Sequence, residues 1–216
     1  GFGSNLLSWR EAGYFDPVSD SKPLLHLWSL GIEEQFYFVW PLLLFAVAKI
    51  DGRHVMLVVA ITMTLLLSLG FSLVAIQNDA TMAFYSPLPR AWELGVGALL
   101  ACWHITCPQW NERRTSATVG ERRYVWNRFD YVGSAGFAMI VFAIAFIDRD
   151  STFPGGWALL PTLGSALLIG AGPDSWINRR VLSNHWAVFI GLISYQLYLW
   201  HWPLLVYTRL ATGDAP

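Results

Sequence analysis

About six apolar segments dominate this 216-residue chain, and they constrain its fold more than any other feature. An α-helix rises about 1.5 Å per residue, so roughly 20 apolar residues cross the hydrocarbon core of a bilayer. The segment at 157–171 is the weakest, because it is short and contains Pro161. The pattern predicts an all-α, polytopic membrane protein with spans near residues 33–50, 55–76, 90–107, 131–147, 157–171 and 187–210.

The composition supports a membrane class and argues against several others. Hydrophobic residues make up 55% of the chain and charged residues 13%, with a net charge of −1. Without a basic patch there is nothing to bind a phosphate backbone, so nucleic acid is not an expected partner. Cys102 and Cys107 fit neither a redox pair nor a zinc site, and we interpret them as packing residues. No metal site is predicted.

The positions of the basic residues orient the predicted spans. Lys and Arg are concentrated on the cytoplasmic side of membrane proteins. This rule places residues 1–32, the loops at 77–89 and 148–156 and the C-terminal tail outside the cytoplasm. The residues assigned to the cytoplasmic side are Lys49, Arg53, Arg113, Arg114, Arg122, Arg123, Arg128, Arg179 and Arg180.

A polar cluster at residues 26–37 (HLWSLGIEEQFY) borders the first span. A helix beginning near Ser29 or Gly31 would place Glu33 and Glu34 in its first turn, where the helix dipole alone stabilises carboxylates. Further polar residues, including Gln35 and Tyr37, lie beside these carboxylates. A helix cap does not need so many polar groups, so the cluster favours a functional site. A hydrolase triad of His26, Ser29 and a glutamate is disfavoured, because no G-x-S-x-G elbow is present.

Two further polar clusters follow. At the outer end of the third span, Arg90 and Glu93 are spaced i and i+3 and can pair on one helix face. An arginine reaching to lipid headgroups is the plain alternative, but Glu93 lies deeper and needs a partner. In the last span Ser194, Tyr198 and His201 form a polar stripe, and Pro203 frees a backbone carbonyl.

The three clusters together resemble the membrane acyltransferase-3 family of bacterial O-acyltransferases. The residues that carry the resemblance are PLLHLWSLGIEEQFYFVWPLLL, FYSPLPRAWELGVGALLA and ISYQLYLWHWPLL, in that order. The resemblance implies a bundle of roughly ten helices, of which about six lie in this chain. It also implies an acyl-CoA donor, commonly acetyl-CoA, with no bound cofactor, and an acceptor hydroxyl on a cell-surface carbohydrate. Some family members carry an SGNH hydrolase-like domain, which is not found in this sequence.

The same resemblance implies roles for individual residues. His26, Glu33 and Glu34 would be catalytic, lining the passage between donor and acceptor. The family's first helix carries a basic residue and a histidine needed for transfer, and that segment would lie upstream of Gly1. The chain is therefore expected to be an internal piece of the family's bundle. Substrate-binding roles are implied for Trp28, Ser29, Gln35, Tyr37, Arg90, Glu93, Tyr195, Tyr198, His201 and Trp202.

Two other classes of function remain open at this stage. A transporter or flippase of sugar-linked substrates would also place Glu, Arg and His within the membrane, although no internal repeat is visible. A membrane anchor is disfavoured because it needs no buried ionisable groups. The preferred prediction is an O-acyltransferase of the bacterial inner membrane, with lipid, acyl-CoA and a carbohydrate acceptor as partners.

Overall fold

A computed structural model describes residues 3–5, 22–50, 54–106, 119–148 and 154–213, and only the backbone of residues 119–127. The described residues are predominantly helical and contain no strand. Short 3-10 turns at Leu25–Leu27, Leu88–Arg90 and Gly156–Ala158 precede three of the helices, and a π-helical turn occupies Asn178–Leu182. The α-helices are α1 (Trp28–Ile50), α2 (His54–Asn78), α3 (Ala80–Tyr85), α4 (Ala91–Thr106), α5 (Val119–Phe146), α6 (Leu159–Ala171) and α7 (His185–Thr212).

Each predicted span overlaps a described helix, and the all-α membrane class is confirmed. Helices at Leu25–Ile50, His54–Asn78 and Arg128–Phe146 are long and apolar enough to cross a membrane, and Gly156–Ala171 forms a shorter apolar helix. The count of six spans stays a prediction. Helix α5 begins at Val119, well before the predicted residue 131. The prediction began too late because the first turns of this helix are polar and give no hydropathy signal. Cys107, most of residues 1–32 and the basic loop before α5 lie outside the described residues.

The start of α1 differs from the prediction in one respect that matters for the site. The helix begins at Trp28, and no acidic residue falls in its first turn. Trp28 is buried against the rings of Phe84 and Tyr85, with centroids 4.5 and 5.2 Å away, and this packing fixes where α1 begins. Glu33 and Glu34 therefore lie beyond the turn in which unpaired backbone amides stabilise a carboxylate.

Helices α2 and α4 meet around a buried serine. The Ser68 hydroxyl donates to the Leu88 carbonyl at 2.5 Å and accepts the Trp92 amide at 3.1 Å. The first amides of α4 have no partner within their own helix, so Ser68 caps α4 from a neighbouring helix. Beside this contact, Ile61, Leu65 and Trp92 form the main apolar cluster, and Cys102 packs against it as expected. The Leu88–Arg90 turn is thereby held in place.

Helices α5 and α6 make the most extensive helix contact among the described elements, and glycines allow it. A Cβ atom added to Gly136 would lie 2.6 Å from the Gly164 carbonyl oxygen. A Cβ on Gly164 would in turn lie 2.8 Å from the Gly136 oxygen. Close backbone approach at small residues is the usual means by which helices associate in lipid, where apolar burial gives no driving force.

Helix α7 is exposed along most of its length. Trp186, Leu192 and Trp200 have exposed fractions of 69%, 74% and 64%, whereas Val206 is buried. The described hydrogen bonds of α7 with the start of α1 and the residues before it come from Tyr198 and Trp202, near the middle of the helix. The position of α7 therefore depends on a few specific interactions.

Gly136→Ala should weaken the α5–α6 contact. Overpacking of this kind costs about 1–3 kcal/mol, which outweighs the gain in helix propensity of at most about 1 kcal/mol. We expect the thermal unfolding midpoint of the detergent-solubilised protein to fall by several degrees. Gly70→Ala is the matched control, because nothing lies within 4 Å of its added Cβ, and its midpoint should not fall. Equal midpoints for the two variants would contradict the packing argument.

Candidate active site

Three segments far apart in sequence meet around one polar cavity of about 280 Å³. They are the residues at the start of α1, the turn before α4 with the end of α3, and the middle of α7. The side chains that line the cavity are His26, Trp28, Ser29, Phe84, Arg90, Tyr198, His201 and Trp202.

Hydrogen bonds from α7 hold this helix along one side of the cavity. The Tyr198 hydroxyl donates to the His26 carbonyl at 2.5 Å and lies 2.5 Å from the Ser29 Oγ. A carbonyl only accepts, so the single hydroxyl proton of Tyr198 goes to His26, and Ser29 must donate to Tyr198. Trp202 Nε1 adds a bond of 2.9 Å to the Lys22 carbonyl. These bonds hold α7 against the start of α1.

Two imidazoles face each other in the cavity. The ring centroids of His26 and His201 are 5.4 Å apart. His26 is only 7% exposed, and although its ring interacts with the Leu199 backbone, neither ring nitrogen makes a hydrogen bond of good geometry with a described residue. A buried polar atom without a partner costs about 1–3 kcal/mol, so such an atom indicates a place for water or a ligand. His26 thus marks the cavity as a site for a polar ligand.

Arg90 forms a compact ion pair at the cavity wall. Its Nη2 lies 2.8 Å from Glu93 Oε2, and its Nε donates to the same carboxylate at 3.3 Å. The guanidinium also lies over the rings of Trp28 and Phe84, at 5.1 and 5.8 Å. The predicted i, i+3 pair is therefore present. It neutralises a carboxylate that would otherwise be costly to place in the membrane.

Seven of the predicted site residues line the cavity, and six do not. Gln35 instead exchanges amide hydrogen bonds with Asn5, at 3.0 and 3.5 Å. Asn5 is fully buried and also donates to the Tyr85 carbonyl at 3.2 Å. Gln35 therefore ties an upstream segment to α1. The other residues outside the lining are Glu33, Glu34, Tyr37, Glu93 and Tyr195.

The predicted carboxylates lie apart from the cavity lining. Glu33 is half-buried and Glu34 is exposed. Tyr37 and Tyr195 are 67% and 57% exposed. The catalytic role predicted for Glu33 and Glu34 therefore stays a prediction. Phe84 and Asn5 are contributors that the sequence reasoning missed, because neither is part of a polar pattern that would have singled it out.

A larger cavity of about 440 Å³ lies between α4, α5 and α6, but it has few polar or titratable side chains. Its lining is apolar apart from His104, and includes Leu100, Met139 and Leu167. In the part of the chain that the structure describes, no three His, Cys, Asp or Glu side chains are grouped so as to hold a metal ion. The polar cavity is therefore the better candidate for a reaction site.

Comparison with known proteins points to one family. The family model described as "Acyltransferase domain" matches residues 2–215. A candidate O-acetyltransferase of Staphylococcus aureus (strain COL) is 30% identical over 215 residues, which cover 96% of this chain and 34% of that protein. A candidate peptidoglycan O-acetyltransferase of Bacillus subtilis is 28% identical over 205 residues, covering 92% of this chain and 31% of that protein.

A candidate membrane-bound transacylase of Komagataeibacter xylinus is 29% identical over 207 residues, covering 94% of this chain and 47% of that protein. The chain thus spans 31–47% of the length of these curated relatives. No solved structure matches the chain.

Tyr198→Phe should loosen the attachment of α7. The change leaves the His26 carbonyl and the Ser29 hydroxyl without their partner, at a cost of about 1–3 kcal/mol. We expect the thermal midpoint in detergent to fall by several degrees. Tyr195→Phe is the matched control on the same helix, since Tyr195 is 57% exposed, and its midpoint should not change. If both variants unfold at the same temperature as the unsubstituted protein, the tie is not what holds α7.

Proposed function

The chain belongs to the acyltransferase-3 family, and on this premise we propose that the protein moves an acyl group, acetyl in particular, from acyl-CoA to a hydroxyl of a cell-surface carbohydrate. The printed descriptions of the relatives support O-acetyl transfer as the general reaction. The apolar helices agree with an integral membrane protein. The donor, the acceptor and the bacterial inner membrane belong to the proposal.

The observation that carries the proposal is the meeting of the three motif segments around the polar cavity. Transfer of an acyl group to a hydroxyl needs a base that takes the hydroxyl proton and donors that stabilise the developing oxyanion. The cavity offers imidazoles, the Ser29 and Tyr198 hydroxyls and the Arg90 guanidinium. These groups meet both requirements with residues of this chain.

We assign the acceptor to this cavity. The unpaired nitrogens of His26 would bind its hydroxyl groups, and Trp28 and Trp202 would form apolar walls against the sugar ring. In Arg90 the Nη1 group takes part in none of the bonds to Glu93, so it has donors available for an oxyanion. Glu33 and Glu34 would act from outside the lining, if at all.

His26→Asn tests the acceptor site directly. The His26 nitrogens make no hydrogen bond of good geometry with a described residue, so the change removes mainly ring packing, and we expect the thermal midpoint to fall by no more than a few degrees. We expect acetyl transfer to fall by roughly 10²-fold or more. The measurement is transfer of labelled acetyl from acetyl-CoA to surface polysaccharide, in membranes containing the intact protein. His54→Asn, an exposed histidine at the start of α2, is the control and should keep the unsubstituted rate.

Other outcomes of this assay address the alternatives. Movement of label across the membrane without formation of an ester would contradict the acyltransferase and favour a transporter. Full activity of His26→Asn would show that the acceptor does not bind in this cavity. Glu34→Gln, measured in parallel, tests the carboxylate prediction, and a loss as large as that of His26→Asn would place Glu34 in the mechanism.

The same proposal predicts an orientation. The positive-inside rule places the cavity near the outer face and the π-helical turn inside. In a protein whose own cysteines are replaced, Ala80→Cys should react with a membrane-impermeant maleimide in intact cells. Arg180→Cys should react only after the inner membrane is opened. The reverse pattern would show the opposite orientation and would place the acceptor site on the cytoplasmic side.

A further inference from the structure

We propose that the apolar cavity between α4, α5 and α6 binds one acyl chain of an anionic phospholipid, with the lipid phosphate at Arg128 and His104. This cavity is separate from the polar one, and no residue predicted for the acyl-transfer site lines it. Its volume of about 440 Å³ lies within the range of about 300–1,000 Å³ that is usual for ligand pockets. The proposal therefore stands apart from the proposed acyl transfer.

The cavity is a gap in the packing of three helices. Helices α5 and α6 lie close together through Gly136 and Gly164, and α4 packs on α6. Among the described residues α4 and α5 scarcely touch each other, so a space stays open between them. The side chains around an unfilled space lack the dispersion contacts that a neighbour would supply. An apolar occupant would therefore stabilise the arrangement of the three helices.

The shape and the lining of the gap suit a hydrocarbon chain. The lining is apolar apart from His104, and it extends from Val132 to Met139 on α5 and from Leu163 to Gly170 on α6. Seven residues rise about 10 Å along a helix. A further helix does not fit, because a cylinder about 10 Å wide and 10 Å long occupies roughly 800 Å³. A single acyl chain is narrow enough to enter.

One end of the cavity, which we call the mouth, lies where the last turns of α4 and α6 meet the first apolar turns of α5. A Cβ atom added to Gly170 would lie 3.7 Å from Leu100 Cδ1, and one added to Gly133 would lie 3.3 Å from the Ala171 Cβ. His104 is one turn beyond Leu100 and lines the cavity. The mouth thus opens at the ends of the helices, where headgroups begin.

The mouth is basic. Arg128 is exposed and precedes Val132 by one turn on the same face of α5, which places it just beyond the apolar lining. The carboxylate of Asp130 accepts the Trp176 amide at 2.6 Å, and no described carboxylate lies within ion-pair distance of Arg128. Basic pockets between spanning helices bind anionic headgroups. A phosphate at the mouth would meet this guanidinium and the imidazole of His104.

An aromatic residue marks the same level. Trp103 lines the cavity beside His104 and is 54% exposed. Tryptophan is enriched where the hydrocarbon of a bilayer gives way to headgroups. The apolar lining, the exposed ring and the basic groups therefore follow one another in the order in which a phospholipid presents its chain, its ester region and its phosphate.

A bound lipid would also support the other end of α4. This helix follows the Leu88–Arg90 turn, from which Arg90 reaches the polar cavity. A chain that fills the gap beside α4 would hold this helix against the α5–α6 pair. The lipid would thus act as a structural ligand of the helix bundle.

The test measures the thermal midpoint of the intact protein, solubilised in detergent and stripped of lipid, with added dioleoyl phosphatidylglycerol or dioleoyl phosphatidylcholine. A ligand that binds only the folded state raises the midpoint. We expect phosphatidylglycerol to raise it by several degrees more than phosphatidylcholine. In Gly170→Leu the new side chain fills the cavity, and this difference should disappear. Gly97→Leu, outside the lining and with nothing within 4 Å of its added Cβ, should keep the difference.

A second pair of variants tests the headgroup. Arg128→Gln removes the charge at the mouth, so the shift with phosphatidylglycerol should fall to about that with phosphatidylcholine. Lys49→Gln is the control, because it removes a basic side chain that lies over the Phe45 ring at the end of α1, away from this cavity. It should respond to both lipids as the unsubstituted protein does.

The outcomes separate the occupants. Equal shifts with the two lipids, or equal responses of Arg128→Gln and Lys49→Gln, overturn the anionic headgroup. A lipid difference in Gly170→Leu as large as that in Gly97→Leu overturns the cavity as its site. If Gly170→Leu does not fold, Ala166→Leu fills the same cavity and is judged in the same way. No response of the unsubstituted protein to either lipid would show that the cavity is filled otherwise, and it overturns the proposal.

Discussion

The tie between Tyr198 and the start of α1 is the interaction on which the site depends. Helix α7 is exposed over most of its length and has little apolar burial to hold it. A single hydroxyl connects it to the His26 carbonyl and to Ser29. In an apolar medium such a bond is stronger than in water, because no solvent competes for its donor and acceptor. Together with the bond from Trp202 Nε1 to the Lys22 carbonyl, it holds His201 and Trp202 beside the residues that precede α1.

A different physical principle organises the helices next to the site. In α5 and α6, glycines let the two backbones approach closely, so side-chain and backbone packing is the main contact between these helices. Between α2 and α4, Ser68 supplies the missing cap for Trp92 and holds the Leu88–Arg90 turn. The backbone on both sides of Arg90 is therefore held in place, and so is the side chain that lines the cavity. The site thus joins a turn held by the hydrogen bonds of Ser68 to a helix held by those of Tyr198 and Trp202.

The sequence predicts the helices well and the site only in part. Runs such as 55–76 carry their own transfer free energy, so α2 is evident without knowledge of its neighbours. The pairing of Arg90 with Glu93 is equally local, since i and i+3 lie on one face. Which turn of α1 lines the cavity is a tertiary property, set by where the side chains of α7 reach the residues at its start. For this reason Glu33 and Glu34 drew attention in the sequence, although the described lining begins one turn earlier. Phe84 could not be predicted, because it reaches the cavity only through the packing of α3.

The pairing of Arg90 also bears on the chemistry of the two histidines. An unpaired guanidinium in a medium of low dielectric constant would oppose any positive charge that forms nearby. The Glu93 carboxylate accepts hydrogen bonds from two nitrogens of Arg90 and balances its charge, although Glu93 does not line the cavity itself. An imidazole beside a neutral ion pair can accept a proton at less electrostatic cost than one beside a bare cation. Glu93 therefore acts on the cavity through Arg90, because it lowers the electrostatic cost of any positive charge that forms there.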